Sequence, residues 1–175
     1  IADEKAGYEY DLLFVGTVHS DRYALLRQVL TQVERSGKRC FFYMFFQSRI
    51  LYYKMKLQNK NLRGTSIRDF RFTPLDKNSL LELYRKSRTV IDIQHPKQTG
   101  LTMRCIETVG AKRKLITTNP HIKEYDFYDE NNILAVNREN PIVPTGFLES
   151  PYREISAEVY ENYRIDHWLK TIFDS

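Results

Sequence analysis

The stretch TVIDIQHPKQTGLTMRCIETVGA, residues 89–111, carries the pattern from which the fold class follows. Its first six residues, Thr89–Gln94, form the short apolar run of a buried strand. Pro96 then breaks the backbone, and the turn Gln98–Gly100 leads into an amphipathic helix predicted over Thr99–Lys112. A strand, a glycine-containing turn and a helix in this order form the repeating unit of an α/β domain.

The same alternation continues on both sides of this stretch. Further strands are predicted at Asp11–Thr17, Arg39–Phe46, Ile67–Phe72, Lys114–Asn119 and Asn132–Asn137. Helices are predicted from Ser20 to near Gly37, over Gln47–Lys60, from a capping box at Ser79 and Glu82, over Glu149–Tyr163, and in a tail with Ile165, Trp168, Leu169 and Ile172 on one face. Six strands with helices between them predict one Rossmann-like, doubly wound α/β domain over residues 1–175, with a mostly parallel six-stranded sheet and helices on both faces.

The composition excludes several classes of protein. The 175 residues carry 27 Lys and Arg against 22 Asp and Glu. The resulting net charge of +5 favours phosphate-bearing ligands or a membrane surface, and it is too small to indicate nucleic acid. No run of about 18 apolar residues predicts a transmembrane helix. The chain begins at Ile1 rather than Met, so we expect it to be part of a longer polypeptide.

The motifs of several enzyme classes are missing from the sequence. It contains no GxGxxG, GxxxxGK[ST], GxSxG or HExxH, and no Asp-x-Asp pair for a divalent ion. A dinucleotide dehydrogenase, a P-loop enzyme and a metal hydrolase are therefore disfavoured, and no metal site is predicted. Cys40 and Cys105 lack neighbours at metal-ligand spacing and are predicted to be reduced core residues, which suits a cytoplasmic protein.

The turn before the helix at Thr99–Lys112 is a candidate phosphate site. The first amides of a helix lack intrahelical partners, and the helix dipole adds positive charge there. Gly100 would let an anion approach these amides closely. Around the turn stand hydroxyl, cationic and carboxylate side chains: Thr99, Thr102, Lys97, Arg104 and Glu107. Glu107 is placed to accept hydrogen bonds from a ribose diol. The alternative is an ordinary strand-to-helix turn whose Arg104–Glu107 pair is solvated.

The loop after the first strand is a second candidate. Gly16 is predicted to let the backbone turn tightly, and His19 and Arg22 are predicted to face a phosphate. The alternative is a plain helix start with Ser20 as its cap, Asp21 complementing the dipole and Arg22 in solvent. His19 as a general base stays a hypothesis, because no partner for it is visible in the sequence.

Together these segments resemble a known family. The residues that carry the resemblance are FVGT at 14–17, SDR at 20–22, LYRKSRTVIDIQHPKQTGLTMRCIET at 83–108 and KLITTN at 114–119. They resemble the carboxyl-terminal, donor-binding half of GT-B glycosyltransferases, and in particular the bacterial group that makes lipopolysaccharide or capsular polysaccharide. The resemblance spans residues 11–173.

The resemblance implies a metal-independent hexosyltransferase whose donor is a nucleotide-sugar and which needs no cofactor. It implies that the donor is bound by Gly16, Thr17, His19, Phe72, Pro74, Thr99, Gly100, Leu101, Thr102 and Glu107. Within that set, Phe72–Leu75 would read the base, the turn at Gly100 would cradle the diphosphate, and Glu107 would hold the ribose. Catalytic stabilisation of the leaving diphosphate would come from Arg22, Lys97 and Arg104. Thr99 stands where many retaining enzymes of this kind carry Glu, so retention and inversion both stay open.

The resemblance also implies partners. A GT-B enzyme has an amino-terminal acceptor half in the same polypeptide, so we expect this half alone to be inactive. Lys and Arg are frequent over residues 38–71, where a peripheral contact with the inner face of the cytoplasmic membrane is weighed against a solvated face; they include Lys54, Lys56, Lys60, Arg63, Arg68 and Arg71. Two rival functions are a non-catalytic Rossmann-like interaction module and a polyol-phosphate transferase domain. Nucleic acid is not an expected partner.

Overall fold

The computed structural model describes residues 7–19 and 21–164. The strands are β1 (Tyr10–Thr17), β2 (Cys40–Phe45), β3 (Ser87–Asp92), β4 (Lys114–Thr117) and β5 (Ile133–Ala135). The helices are α1 (Arg22–Arg35), α2 (Arg49–Gln58), α3 (Lys77–Lys86), α4 (Met103–Gly110), α5 (Thr145–Glu149) and α6 (Ala157–Asn162). The predicted cap Ser20 and the predicted helix over 165–172 lie outside the described residues.

The strands form one parallel sheet in the order β2-β1-β3-β4-β5. Val90 of β3 lies beside Leu13 of β1 and beside Leu115 of β4. Successive side chains of a strand point to opposite faces, so these three residues share one face of the sheet. The prediction of an α/β fold with a parallel sheet is confirmed, but the described residues form five strands and not six.

The prediction of a sixth strand at Ile67–Phe72 is wrong. Ser66 and Asp69 close a capping box around a short 3₁₀ turn at Ile67–Asp69, and this turn leaves little chain for extended pairing. Arg71 alone pairs with β2, donating its amide to the Met44 carbonyl at 2.8 Å. This bridge lies on the edge of β2 away from β1. With it the segments follow the order 3-2-1-4-5-6 of Rossmann folds.

Helices cover both faces of the sheet, as predicted. On one face Leu26 and Val29 of α1 pack with strand residues such as Phe14 and Ile91. On the opposite face Tyr84 of α3 packs with other strand residues, and Cys105 and Val109 of α4 pack with Leu115. Both sheet faces are therefore buried, which is why the strand segments read as continuous apolar runs.

Two helix predictions need correction. The cap of α3 is Asp76 and not Ser79, because the Asp76 carboxylate accepts from the amides of Asn78 and Ser79 at 2.9 and 3.0 Å. The segment 149–163 is not one helix: α5 ends at Glu149, Pro151 follows, and α6 begins at Ala157. Proline disfavours helical backbone at the residue before it, which explains the break. Within the described residues, no helix has the length and apolar character that crossing a bilayer requires.

Candidate functional site

Strand order places the loops after β1 and β3 side by side. β1 has β2 on one side and β3 on the other, and the helices α1 and α4 that follow β1 and β3 cover opposite faces. The chain therefore leaves the carboxyl ends of β1 and β3 toward opposite faces of the sheet. Such a point is called a topological switch point, and α/β folds bind their ligands there. His19 from one loop and His95 from the other meet there, with ring centroids 5.2 Å apart. We call this region the switch-point edge.

Arg22, the first residue of α1, ties the two strand ends together. Its Nη1 donates to the Thr17 carbonyl at 2.6 Å, and its Nη2 donates to the Ile93 carbonyl. Its guanidinium also lies over the Phe14 ring, 6.0 Å from the centroid. Burial lowers the pKa of Arg22 to about 10, and its Nε is buried without a hydrogen-bond partner. The predicted phosphate-facing cation is thus partly buried and held by backbone carbonyls.

Arg138, which sequence reasoning missed, stands beside Arg22. It forms a two-pronged ion pair with Asp21, at 2.6 and 2.8 Å, and also donates to the Gln94 carbonyl at 3.1 Å. Asp21 occupies the N-cap position of α1, but its side chain makes no cap hydrogen bond there. No local pattern could have found this pair, because its members are 117 residues apart.

Gly16 has a different role from the predicted one. It lies inside β1, and its φ is not in the left-handed region, so no tight turn requires it. A Cβ at this position would lie 3.1 Å from Cζ of Phe14 and 3.7 Å from Nη1 of Arg22. A side chain at this position would require the Phe14 ring to shift by a few tenths of an ångström, whereas the Arg22 guanidinium would lie at ordinary contact distance.

Helix α4 starts later than predicted, at Met103 instead of Thr99. Its cap is Thr102, whose hydroxyl accepts from the Cys105 amide at 3.3 Å. Thr99 and Gly100 lie in the loop before it, where their carbonyls accept from the Asn119 side-chain amide at 3.4 and 3.2 Å. Buried Asn119 is a second residue that sequence reasoning missed, and it holds the loop in place.

The remaining predicted residues of this loop divide between surface and core. Lys97 is exposed, and its amide donates to Nδ1 of His95 at 3.2 Å. Leu101 packs against the core of α4. A Cβ added to Gly100 would meet no atom within 4 Å, so the space in front of the loop is open.

Asp92, the last residue of β3, lies at the start of α4 and was also missed. Its side chain is almost fully buried, and the Cys105 thiol points at its Oδ2 across 3.6 Å. Burial raises the pKa of Asp92, and hydrogen bonds from Thr102 and Cys105 and the charge of Arg22 oppose that shift. A carboxylate of the chain itself therefore lies beside the start of α4, where the sequence predicts a diphosphate.

Glu107 and Arg104 form the predicted pair one helical turn apart, with Nη1 to Oε2 at 3.1 Å. Tyr84 of α3 joins them, since Arg104 donates to its hydroxyl at 3.2 Å. Glu107 also lines a hollow of about 320 Å³ between α3 and α4. The Arg–Glu spacing was visible in the sequence, but the contact with Tyr84 was not.

Phe72 and Pro74 lie apart from this cluster. They follow the bridge at Arg71, so they sit beyond β2 at the outer edge of the sheet. The Arg49 guanidinium lies 5.8 Å from the Phe72 ring centroid. With strands spaced at about 4.8 Å, three strand spacings, or roughly 15 Å, separate this edge from β3. The structure does not bring the predicted base-reading residues into contact with Glu107.

The electrostatics of the switch-point edge follow from these contacts. Each of its three arginines has a carboxylate neighbour: Arg22 has Asp92, Arg104 has Glu107 and Arg138 has Asp21. Burial, and then the charge of Arg22, lowers the pKa of His19 to about 4. His19 is therefore a neutral imidazole at pH 7 and can accept or donate one hydrogen bond.

The switch-point edge borders a hollow of about 620 Å³ whose lining includes Asp21 and Pro96. No group of three or more His, Cys, Asp and Glu side chains lies together within the described residues. Buried Gln94 keeps its Oε1 without a partner at this edge. Five surface hollows of about 190 to 620 Å³ are formed by the described residues, and residues 97–106 line none of these five.

Comparisons with family models and with curated proteins found no match to this chain.

Proposed function

We propose that this chain is the donor-binding half of a two-domain GT-B glycosyltransferase, of the group that makes bacterial lipopolysaccharide or capsular polysaccharide. Its ligand would be a nucleotide-diphosphate-sugar, bound without a metal ion. The sequence resemblance over residues 11–173 suggests the family, and the Rossmann-like strand order is consistent with it.

One observation carries the proposal: three arginines from distant segments converge at the switch-point edge. Arg22 and Arg138 donate to the carbonyls of the adjacent residues Ile93 and Gln94, and the positive charges of Arg138 and Arg104 help to lower the pKa of Arg22. Asp92, Asp21 and Glu107 lie beside these cations in the free chain, and an anionic ligand can replace such a neighbour where the ion pair is exposed. A diphosphate beside the start of α4 would supply such an anion.

Binding would rearrange the pair of Arg104 and Glu107. Glu107 is about half exposed, and an ion pair of that kind contributes about 0–1 kcal/mol, so it opens at little cost. Arg104 would then turn to a phosphate oxygen, and Glu107 would accept from the ribose hydroxyls. Exposed Lys97 would add a second positive charge to the departing diphosphate.

The proposal assigns transfer to the whole enzyme and not to this half. Sugar transfer needs the donor and the acceptor held in one orientation, and the amino-terminal half would supply the acceptor. We place the enzyme in the cytoplasm, at the inner face of the membrane.

The test is a calorimetric titration of the chain with uridine, guanosine, cytidine and thymidine diphosphates at low salt. We expect saturable binding of one of them. Arg104→Ala should lose more affinity for the diphosphate than for the matching nucleoside, whereas Arg85→Ala, exposed on α3, should change neither. Glu107→Ala should weaken binding and leave the melting temperature within a few degrees. Saturation by none of the four diphosphates would refute the proposal.

A second candidate is the non-catalytic interaction module. The observation in its favour is that every arginine of the switch-point edge already has a carboxylate neighbour in the chain itself. This candidate predicts no saturable binding of any of the four diphosphates. Arg104→Ala and Arg85→Ala should then give the same titration as the wild type.

A further inference from the structure

Helix α2 is apolar on two sides, and only one side is covered. Tyr52 and Met55 pack into the core against the sheet. Ile50, Tyr53 and Leu57 face outward and expose 83%, 55% and 82% of their surface. Their spacing of three and four residues places them in one stripe along the helix. Large aliphatic side chains exposed in such a stripe mark an interaction surface.

The chain around this stripe is purely cationic. Residues 35–68 contain no Asp or Glu, and they contain nine basic residues: Arg35, Lys38, Arg39, Arg49, Lys54, Lys56, Lys60, Arg63 and Arg68. On the helix itself, Arg49 and Lys54 flank the stripe on its two sides. In the parts of the chain that the structure describes, no basic residue of 49–68 forms an ion pair.

Next to the stripe lies a hollow of about 450 Å³. Its walls are Tyr53, Lys56, Leu57, Arg63 and Gly64. Lys56 is held at its inner end, because its Nζ donates to the Thr65 carbonyl at 2.6 Å. The hollow therefore combines an apolar wall with the exposed cation Arg63 on its rim.

We propose that α2 and the turn after it form a docking face for an anionic lipid bilayer. Ile50, Tyr53 and Leu57 enter the boundary between headgroups and acyl chains, and Arg49, Lys54, Lys60 and Arg63 contact lipid phosphates around them. An apolar stripe flanked by Lys and Arg is the arrangement by which helices lie in a membrane interface.

Charge selects this occupant over two others. A second copy of the chain would set one cationic face against another, which repulsion disfavours. Nucleic acid would suit the cations but would leave the apolar stripe without a partner. The proposal does not depend on the binding of a nucleotide-sugar, although Lys60 of the docking face shares a hollow with Asp21 and Pro96 of the switch-point edge.

The experiment measures co-sedimentation of the full 175-residue chain with vesicles. One vesicle is pure phosphatidylcholine, and the other contains about 30% phosphatidylglycerol. We expect binding to the anionic vesicle, at least about tenfold stronger than to the neutral one. Raising the salt from about 0.1 M to about 0.5 M should weaken binding several-fold, because the Debye length shortens.

Two paired variants separate the apolar and the cationic contributions. Ile50→Ser with Leu57→Ser should lower the partition coefficient about tenfold or more, whereas Met103→Ser with Ile142→Ser, at two exposed sites elsewhere, should not. Lys54→Gln with Arg63→Gln should lower it about 25-fold, whereas Lys77→Gln with Lys123→Gln should change it little. Circular dichroism checks that each variant keeps its fold, as exposed positions should.

A second measurement, the fluorescence of a tryptophan placed on α2, tests the proposal even if one of the paired variants does not fold. Leu57→Trp, made together with Trp168→Phe to remove the one native tryptophan, should shift its emission to the blue on anionic vesicles. No shift, or equal binding to both vesicles, would overturn the proposal. It would also be overturned if Ile50→Ser with Leu57→Ser abolished a dimer in sedimentation velocity while vesicle binding stayed unchanged.

Discussion

The switch-point edge and the outer face of α2 use the same kind of side chain in opposite ways. At the edge, Arg22, Arg104 and Arg138 are partly buried, bonded to the chain and each next to a carboxylate. On the outer face of α2, Lys54 is exposed and forms no ion pair with any residue that the structure describes. In the free chain, carboxylates neutralise the positive charge where the loops converge, whereas on the outer face of α2 the positive charge has no ion-pair partner among the described residues.

The first way to break this comparison is Arg22→Ala. The variant leaves the carbonyls of Thr17 and Ile93 without donors and Asp92 without its nearest cation. We expect the free energy of unfolding in urea to fall by about 3–5 kcal/mol. Arg27→Ala, exposed on the same helix, should lower it by no more than about 0.5 kcal/mol. Equal losses for both would mean that Arg22 does not hold the strand ends.

The second prediction concerns pH and His19. In the folded chain burial lowers its pKa from 6.5 to about 4, so the unfolded chain binds this proton first as the pH falls. The contribution of His19 to stability is thus complete above about pH 6.5 and is lost toward about pH 4. The change in the free energy of unfolding that His19 causes stays below about 1.4 kcal/mol per pH unit, because His19 is partly exposed and solvent screens the charges around it.

The measurement is the free energy of unfolding between about pH 4 and pH 6.5. His19→Gln should flatten the pH dependence relative to the wild type. Gln28→Ala, at an exposed uncharged residue of α1, should leave the pH dependence unchanged. A His19→Gln curve parallel to the wild type would show that the edge does not hold this imidazole neutral.

The third prediction tests whether Asp92 and a bound anion compete at the start of α4. If Asp92 competes with a bound anion there, Asp92→Asn should strengthen the binding of inorganic pyrophosphate about fivefold, measured by calorimetry. Glu130→Gln changes the charge equally at the amino end of β5 and should leave pyrophosphate binding unchanged. Equal affinities for wild type and Asp92→Asn would place the anion elsewhere.

The smallest effect is expected on α2. Lys54→Gln with Arg63→Gln removes two charges that stabilise nothing in the described chain, so the free energy of unfolding should change by less than about 0.5 kcal/mol. Both this double variant and Arg22→Ala are measured by urea unfolding, and the loss of unfolding free energy should be much larger for Arg22→Ala. A loss above about 2 kcal/mol would mean that these cations are structural as well.

The fold was largely predictable because its signals are local. The strand runs near Asp11–Thr17 and Thr89–Gln94, and the helix after each of them, are written in short apolar patterns. The misplaced elements are those decided by competing local bonds. Asp76 outcompetes Ser79 as a cap, Thr102 caps α4 after the glycine turn, and Ser66 with Asp69 folds a turn into the predicted strand Ile67–Phe72.

The candidate site was predictable only in part. The loop after the first strand and the turn before the helix at Thr99–Lys112 were both predicted as candidate sites, and the structure places His19 and His95 from these two connections with ring centroids 5.2 Å apart. Arg138, Asn119 and Asp92 were not expected, because nothing in their neighbouring residues marks them. Each was placed by a partner distant in sequence or by burial at a strand end.

By itself, the sequence determined most of the strand and helix segments and their alternation around a sheet buried on both faces. Apolar periodicity acts over a few residues, so it can be read without knowing the neighbours. Tertiary structure alone decided which charges are satisfied: it joins Arg138 to Asp21, sets Asp92 against the start of α4, and leaves Ile50 and Leu57 in solvent. The physical reason is that electrostatic free energy and burial depend on distances between atoms, and strand order sets those distances for residues far apart in the chain.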